Sequence, residues 1–389
     1  MPKKIAIIGA GPIGLHAALA AQARGFEAAI YERGEIADSV KRWGHIRMFS
    51  PFSMNLSSSG LDLVRGLGRR LPAEDACLTG AEYAAAYLEP LSQHLHVLTH
   101  ASVKAVVRAT ACKTDMIGEP SRAGTRFRLL VEHHGIECYH DADIIFDCSG
   151  TFRDPNPLGD GGIPALGESN SRDRIRYGLG ESADVRPIAG RRVLVAGQGH
   201  SAANLIDALV ALKKRHPKTE IHWVIRRSGR GPCSRVPNDP LAERDRICAA
   251  ANEAAESGVV IPHEGCTVLE LKKTHGGLEV TLQNGSNAEV ICVDQAIAAT
   301  GFRPDWSFVR ELQLQTCWAT EGTYPLAASL LGGTVGNCLA VPAFGAETLL
   351  HPEPDFYALG MKSYGRTPNF IIATGLRQIE SIMQRLGSE

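Results

Sequence analysis

The residue types near the beginning of the chain could hold the diphosphate of a dinucleotide. An apolar run over residues 5–8 leads directly into Gly9-x-Gly11-x-x-Gly14 and then into an alanine-rich stretch. Glycines at this spacing allow a tight turn, let the backbone approach a pyrophosphate and let the following helix pack against the strand. The amides and the partial positive charge at the start of that helix favour an anion. The pattern therefore predicts a dinucleotide-binding turn.

A carboxylate follows the second predicted strand, residues 26–31. Glu32 stands close to the spacing, about twenty residues after the turn, at which an acid binds the adenosine ribose. A carboxylate there accepts hydrogen bonds from a free 2′-hydroxyl and repels a 2′-phosphate, which favours FAD or NAD. The residues predicted to contact this first cofactor are Gly9, Gly11, Pro12, Ile13, Gly14, Glu32 and Arg33.

The same arrangement returns later in the chain with the opposite charge. A strand-like run enters a second turn of the G-x-G-x-x-A type at Gly197, and the strand after it ends at Arg226 and Arg227, with Arg230 close behind. Guanidinium groups form charge-assisted bonds with phosphate, so this second unit is predicted to prefer the 2′-phosphate of NADPH. The predicted contact residues are Gly197, Gly199, His200, Ser201, Ala202, Arg226 and Arg227.

The composition restricts the classes of function. A chain of 389 residues with a net charge of −1 predicts two or three domains, and it carries no electrostatic footprint for nucleic acid or an anionic membrane. The N-terminus runs directly into the first strand and no stretch is long enough to span a membrane, which predicts a cytoplasmic protein. The ten cysteines show no C-x-x-C spacing and no metal-ligand cluster, so we expect reduced, buried thiols and no bound metal.

Two segments of the first domain are expected to face its cofactor. Segment 34–59 has no clear periodicity but is aromatic and basic, so it is predicted to fold over a flavin with Arg47 near a phosphate or the isoalloxazine; the alternative is a packed surface loop. A buried strand over residues 142–147 then meets Cys148 and Gly150. Backbone can approach a ligand at this glycine. Cys148 is the thiol that could lie beside the cofactor, unless it is only a small buried side chain.

A similar strand end, with Thr300 and Gly301, closes the second domain and suggests an internal duplication. We predict an α/β fold with two Rossmann-like dinucleotide-binding domains, the NADPH domain inserted into the FAD domain. The predicted boundaries are 1–165 for the first part of the FAD domain, 188–300 for the NADPH domain and 301–389 for the part that completes the FAD domain.

Helices and a final strand are predicted from local signals. Thr79 and Glu82 form a capping-box pattern, which starts a helix. Residues 356–360 read as the last strand, 361–368 as a loop, and an apolar stripe predicts a closing helix from Asn369 to near residue 387. The N-terminus of that helix can point its amides and dipole at the flavin C2 carbonyl, where negative charge develops on reduction.

Taken together, the two glycine turns with Glu32 and Arg226, the strand end at Thr300 and the closing strand and helix resemble the two-dinucleotide-binding-domain flavoproteins. This superfamily includes thioredoxin-reductase-like enzymes and flavin-containing monooxygenases, and the resemblance covers almost the whole chain. It implies FAD and NADPH as cofactors. Thioredoxin-reductase-like members hold the ribityl chain through an aspartate where Met361 stands here, and Lys362 or Ser363 could substitute for it.

The resemblance implies an NADPH-dependent FAD monooxygenase that uses molecular oxygen to oxygenate nitrogen or sulfur of a small molecule through a flavin C4a-hydroperoxide. The disulfide reductases of the superfamily carry a redox-active cysteine pair, and the sequence contains no closely spaced pair. Two alternatives stay open: an NADPH-dependent reductase of a disulfide, quinone or protein partner, and a non-catalytic flavin redox sensor. No side chain is assigned to acid or base chemistry, and a homodimer is one possible assembly.

Overall fold

The computed structural model describes residues 1–178, 180, 184–229, 231–331 and 345–388. Arg230 and Cys338 lie outside these residues. The contacts divide the described chain into two units. The first unit contains residues 1–41, 50–151 and 303–389, and the second contains residues 42–49 and 152–302.

The strands, in chain order, are β1 (Lys4–Ile8), β2 (Glu27–Tyr31), β3 (Val97–Leu98), β4 (Ala101–Arg108), β5 (Phe127–His133), β6 (Ile136–Ala142), β7 (Ile144–Asp147), β8 (Ile175–Tyr177), β9 (Arg192–Ala196), β10 (Glu220–Ile225), β11 (Ile261–Glu264), β12 (Thr267–Thr274), β13 (Gly277–Asn284), β14 (Asn287–Val293), β15 (Gln295–Ala298) and β16 (Phe356–Ala358). The α-helices are α1 (Pro12–Gln22), α2 (Asp38–Arg42), α3 (Ser58–Gly66), α4 (Gly80–Tyr83), α5 (Glu89–Ser92), α6 (His200–Arg215), α7 (Ala242–Glu256), α8 (Tyr324–Leu331), α9 (Met361–Tyr364) and α10 (Ile372–Ser388). Residues Ala84–Leu88 form a π-helical turn between α4 and α5.

The first unit is built on a parallel sheet in the order β16-β7-β1-β2-β3. Strand β1 is apolar from Ile5 to Ile8 because both of its faces are covered. Ala6 and Ile8 on one face pack with an antiparallel sheet of order β4-β5-β6. The sheet therefore places the carboxyl ends of β1 and β7 side by side, which is where the glycine turn begins.

The second unit repeats this plan. Its parallel sheet has the order β11-β10-β9-β15-β8, and an antiparallel sheet of order β12-β13-β14 packs with it. Val193 and Val195 of β9 face a core formed with α6 and α7, whereas Leu194 and Ala196 face the antiparallel sheet. Both units are Rossmann-like, and the second interrupts the first in sequence. The predicted fold class is confirmed.

A buried charge cluster ties distant parts of the first unit together. Arg108 donates from Nε to Glu353 Oε1 at 2.8 Å, and Arg122 donates from Nη2 to Glu353 Oε2 at 2.9 Å, with all three side chains buried. Burial alone would raise the pKa of Glu353, but hydrogen bonds from Arg122 and the Gln313 amide lower it below its usual value. The cluster joins β4 to the segment immediately before β16.

Several sequence-based boundaries are wrong in detail. Residues 361–364, predicted as loop, form the short helix α9, because glycines with positive φ at 360 and 365 confine a single helical turn that no periodicity can reveal. Helix α10 begins at Ile372, so Asn369 precedes it. Within the described ranges, no helix combines the length and apolarity needed to cross a membrane.

Candidate functional sites in the two units

The first glycine turn has the geometry that its sequence predicts. Gly9 has a φ of +103°, and a Cβ there would stand 2.8 Å from the Cys148 carbonyl oxygen. A Cβ on Gly14 would stand 1.9 Å from the Gly9 carbonyl oxygen, so helix α1 can pack here only without a side chain. A Cβ on Gly11, in contrast, would have no heavy atom within 4 Å. The middle glycine therefore faces open space at the start of α1, where a pyrophosphate could approach the backbone.

Glu32 connects the end of β2 to this turn. Its side chain is buried, and its Oε2 accepts a hydrogen bond from the Ala10 amide at 2.8 Å while Oε1 accepts one from the Gly34 amide at 2.7 Å. An ionised carboxylate offers about four acceptor positions, so each oxygen can still accept a ribose hydroxyl. Arg33 is exposed directly after it. The carboxylate is thus held in a fixed orientation beside the turn.

The starts of helices α1 and α10 lie close together. A Cβ on Gly375, in the first turn of α10, would come 2.4 Å from Ile13 Cδ1, and one on Gly360 would come 2.9 Å from Ile13 Cγ1. Asn369 is partly exposed just before α10. Two helix N-termini therefore bring their partial positive charges near the same residue, which suits an anionic or electron-rich ligand.

Lys362 holds the end of β7. Its ammonium group lies 2.8 Å from Asp147 Oδ2 and donates to Ser149 Oγ at 3.0 Å and to the Asp305 carbonyl oxygen at 2.6 Å. Ser149 Oγ also donates to Asp147 Oδ1 at 2.6 Å. Lys362 and Asp147 have no exposed side-chain surface, and the Trp306 ring centroid lies 4.7 Å from the ammonium. The lysine predicted as a cofactor contact is thus engaged in a buried polar network, which sequence spacing could not show.

Ser363, the second residue predicted for the ribityl chain, is also buried and engaged. Its hydroxyl donates to the Gly360 carbonyl at 2.8 Å and accepts a hydrogen bond from Gln378 Nε2 at 2.9 Å. Gln378 Oε1 in turn accepts from the Gly360 amide at 2.8 Å. Ser363 therefore fixes the turn that leads into α9, close to the Ile13 contact.

Cys148 lies behind the first turn. Its Cβ is 3.5 Å from the position a Gly14 side chain would take, and burial raises the pKa of its thiol well above the usual value. Cys148 is therefore a small, buried side chain packed behind the glycine turn. Gly150, two residues further, has a φ of +68°, and a Cβ there would meet no heavy atom within 4 Å, so open space lies beside the strand end.

The second glycine turn has the same geometry as the first. Gly197 has a φ of +137°, and a Cβ there would stand 2.3 Å from the Ala299 carbonyl oxygen. Gly199, at the start of α6, would place a Cβ in open space, and Ala202 is fully buried against the sheet. Trp223, with no exposed surface, donates from Nε1 to the Gly197 carbonyl at 2.7 Å and so fixes the backbone of the turn.

The basic residues after β10 are joined to this turn by Gln198. Its Nε2 donates to the Arg227 carbonyl at 3.1 Å, and its Oε1 accepts from the Arg227 amide at 3.3 Å. The side chains of Arg226 and Arg227 are exposed beside the turn. Two guanidinium groups therefore stand where the first unit has a buried carboxylate.

The other predicted contact residues of the second unit lie at the end of β15 and at the start of α6. Thr300 donates from Oγ1 to the Asn156 carbonyl at 2.6 Å, and the Gly301 carbonyl accepts from the Asn156 amide at 2.9 Å, so this strand end is held by neutral hydrogen bonds. His200 and Ser201, at the start of α6, are both partly exposed. Arg47, predicted to lie near the flavin of the first domain, is exposed in segment 42–49, which groups with the second unit; the Phe49 ring centroid of that segment lies 5.3 Å from that of His200.

A family model described as pyridine nucleotide-disulphide oxidoreductase matches residues 6–114, which contain the first glycine turn and Glu32. The match and the repeated fold define the class: the chain has the architecture of the two-dinucleotide-binding-domain flavoproteins, and the resemblance drawn from the sequence is confirmed. The predicted cofactors agree with this family description and with a solved structure of the same fold, an ornithine N-hydroxylase in complex with reduced FAD and NADP⁺. No curated protein gives a sequence match.

Solved structures of the same fold differ in the reactions their names describe. Bacillithiol disulfide reductase from Bacillus cereus is 19% identical with a TM-score of 0.73, the similarity covering 100% of this chain and 99% of that one. Ornithine N-hydroxylase from Kutzneria sp. 744 is 17% identical with a TM-score of 0.67, covering 99% and 100%. A flavin-containing monooxygenase from Stenotrophomonas maltophilia is 18% identical with a TM-score of 0.63, covering 100% and 99%. At these identities the similarity establishes the fold.

Proposed function

We propose that this protein is an NADPH-dependent FAD oxidoreductase, with FAD on the first unit and NADPH on the second. The observation that carries the proposal is the pair of glycine turns with matching geometry and opposite charge. Both turns leave the middle glycine open at the start of a helix, but the first is flanked by Glu32 and the second by Arg226 and Arg227. A carboxylate selects the free ribose of FAD, and guanidinium groups select the 2′-phosphate of NADPH.

Each unit supplies distinct parts of the binding chemistry. Gly11 and the amides of α1 would receive the FAD pyrophosphate, and Glu32 would accept the ribose hydroxyls. The N-terminus of α10 would face the electron-rich edge of the flavin, and the buried Lys362–Asp147 pair would keep the end of β7 in place. Gly199 and α6 would receive the NADPH pyrophosphate. Bound FAD would supply the passage of two electrons from NADPH to an acceptor.

For the acceptor, we favour molecular oxygen followed by nitrogen or sulfur of a small molecule, which makes the protein a monooxygenase. Cys148 lies beside the first turn as a buried thiol with a raised pKa, which suits a packing role better than electron transfer. The full-length similarity to an ornithine N-hydroxylase and to a flavin-containing monooxygenase supports this choice. A small-molecule substrate and a cytoplasmic location belong to the same proposal.

A second candidate is an NADPH-dependent reductase of an external disulfide. It is supported by the full-length similarity to a bacillithiol disulfide reductase, which has the highest TM-score of the three structures compared above. In that case electrons would leave the flavin for a soluble disulfide and oxygen would not be needed.

The decisive experiment follows flavin reduction and then tests the acceptor. The holoprotein is mixed with NADPH or NADH without oxygen, and the loss of the oxidised flavin band is recorded. Oxygen is then admitted with a panel of small amines and thioethers, and the consumption of NADPH and oxygen is compared with the oxygenated product. Equal amounts of all three support the monooxygenase. Turnover of a low-molecular-weight disulfide without oxygen supports the reductase, and a flavin that neither nucleotide reduces contradicts both enzyme functions.

A further inference from the structure

Two cysteines that are 15 residues apart in the sequence, Cys233 and Cys248, are in contact inside the second unit. The Sγ atoms of Cys233 and Cys248 lie 2.9 Å apart, and both residues are almost completely buried, with exposed fractions of 2% and 1%. Cys233 stands in the irregular segment after β10, and Cys248 stands in α7. Both are free, buried thiols, as the sequence predicts, but their sulfur atoms are in direct contact, which the spacing of the two residues does not indicate.

The backbone of Cys233 is fixed against α7. Its amide donates to Asn252 Oδ1 at 2.8 Å, and its carbonyl accepts from Asn252 Nδ2 at 3.0 Å. Asn252 is one helical turn after Cys248, so both side chains lie on the same face of α7. The two hydrogen bonds therefore hold the Cys233 side chain over the Cys248 sulfur, which reduces the motion needed to join them.

The surroundings shift the pKa values of the two thiols in opposite directions. Hydrogen bonds from Cys233 and His200, together with the nearby charge of Arg244, lower the pKa of Cys248 in spite of burial. The hydrogen bond to Cys248 and burial raise the pKa of Cys233. Cys248, which accepts the hydrogen bond from Cys233, is therefore the sulfur better placed to ionise, and Cys233 is the one better placed to keep its proton. This is the division of roles between an attacking thiolate and a resolving thiol.

We propose that Cys233 and Cys248 form a reversible disulfide and make up a peroxide-sensitive thiol pair in the second unit. The Cys248 thiolate attacks one oxygen of hydrogen peroxide, the O–O bond breaks, and hydroxide leaves and takes up a proton to become water. Cys233 then attacks the resulting sulfenic acid, an S–S bond forms and a second water leaves. Two thiols are oxidised by two electrons, and one peroxide is reduced to two waters. A dithiol reductant restores both thiols.

The pair is distinct from the residues assigned to either cofactor, although His200 begins α6 directly after Gly199. Its chemistry does not depend on the proposed function, because a thiol count detects the disulfide in protein with or without turnover. Failure of NADPH to reduce the flavin would contradict the proposed function and leave the thiol pair intact as a hypothesis.

The test is a peroxide titration of the purified holoprotein, followed by thiol counting and peptide mapping. Wild-type protein should lose two thiols per peroxide and the mass of two hydrogen atoms, the cross-linked peptide should contain both cysteines, and dithiothreitol should reverse the change. The C233S variant should instead form a sulfenic acid at Cys248, detected as its dimedone adduct. The C266S variant, which removes another buried thiol of the same unit, should behave like wild type.

Mapping on the wild-type protein keeps the test independent of whether the variants fold. A cross-link confined to Cys233 and Cys248 that disappears in C248S establishes the pair. Full retention of both thiols at stoichiometric peroxide, or a cross-link between other cysteines, overturns the proposal.

Discussion

In both units a side chain connects the glycine turn to the end of the following strand, but the connecting side chain comes from the strand end in one unit and from the turn in the other. In the first unit Glu32, at the end of a strand, reaches back and binds the Ala10 amide of the turn. In the second unit Gln198, within the turn, reaches forward and binds the backbone of Arg227 at the end of a strand. Both connections fix the strand end beside the turn. In the proposed assignment the glycines would receive the diphosphate, and the charge at the strand end would select the nucleotide: Glu32 in the first unit, Arg226 and Arg227 in the second.

The strand ends on the other side of the turns show a second contrast. In the first unit the end of β7 is held by the buried Lys362–Asp147 ion pair, whereas in the second unit Thr300 and Asn156 make neutral hydrogen bonds. A buried ion pair is costly to break because the remaining charge is left without a partner. Loss of one partner should therefore destabilise the first unit at this place more than the loss of one hydrogen bond destabilises the second.

The largest expected effect is on cofactor binding, and a different cofactor should be affected in each unit. Gly11→Val places a side chain in the open space of the first turn, and Gly199→Val does the same in the second. We expect Gly11→Val to be purified without FAD. Gly199→Val should keep its FAD but be reduced by NADPH at least about a hundredfold more slowly, an effect of roughly 3 kcal/mol. Flavin content and anaerobic reduction rates measure both. Normal FAD content in folded Gly11→Val would contradict the assignment of the first site.

The next effect compares the two strand ends. Lys362→Met leaves the buried Asp147 carboxylate unpaired and should lower the free energy of unfolding of the first unit by about 3–5 kcal/mol. Thr300→Val removes one neutral hydrogen bond and should cost only about 0.5–1.5 kcal/mol. Urea unfolding followed by flavin release reports on the first unit, and the fluorescence of Trp223, with Trp43, Trp306 and Trp318 replaced by phenylalanine, reports on the second. Equal losses of unfolding free energy in the two variants would contradict the expected difference between the two strand ends.

A smaller effect concerns nucleotide selection. Replacing Arg226 and Arg227 by alanine removes charge-assisted contacts to the 2′-phosphate and should cost about 1.5–3 kcal/mol, or roughly ten- to a hundredfold in kcat/KM for NADPH. The value of kcat/KM for NADH should change little, which makes NADH the internal control. Wild-type protein that uses both nucleotides equally would show that the arginines do not select.

The smallest effect tests the connection made by Gln198. Gln198→Ala removes two partly exposed hydrogen bonds to the Arg227 backbone and should weaken NADPH binding by about 0.5–1.5 kcal/mol without altering FAD content. Its counterpart, Glu32→Ala, leaves the Ala10 amide without this partner and should lower FAD content instead. Titration of NADP⁺ and extraction of the flavin distinguish the two. An exchange of these phenotypes would mean that the cofactors are assigned to the wrong units.

Much of the fold follows from local sequence signals. A glycine turn between a strand and a helix is encoded within a few residues, so Gly9 and Gly197 identify both repeats without any structure. The capping box at Thr79 is likewise local, and both of its hydrogen bonds are formed. Strand β8 is only three residues long and gains its place by pairing with β15, so no periodicity of its own could reveal it.

The contacts between side chains in the candidate sites could not be predicted from the sequence. Asp147 and Lys362 are neighbours because β7 and β16 pair in the parallel sheet, and nothing in the spacing of the two residues encodes that pairing. Cys233 and Cys248 meet because Asn252 binds an irregular segment, a contact that depends on tertiary packing. The sequence therefore predicts the backbone of the sites well, and the engaged or paired state of their side chains poorly.

The Arg108–Glu353–Arg122 cluster can form during protein synthesis only after Glu353 has been added to the chain. Both arginines leave the ribosome more than two hundred residues before their carboxylate partner, at separations of 245 and 231 residues. Until then the guanidinium groups remain hydrated, since burying them unpaired is unfavourable. Residues 152–302 of the second unit emerge in the interval. The inserted unit can therefore complete its folding on the ribosome while the domain that begins the chain waits for its C-terminal part.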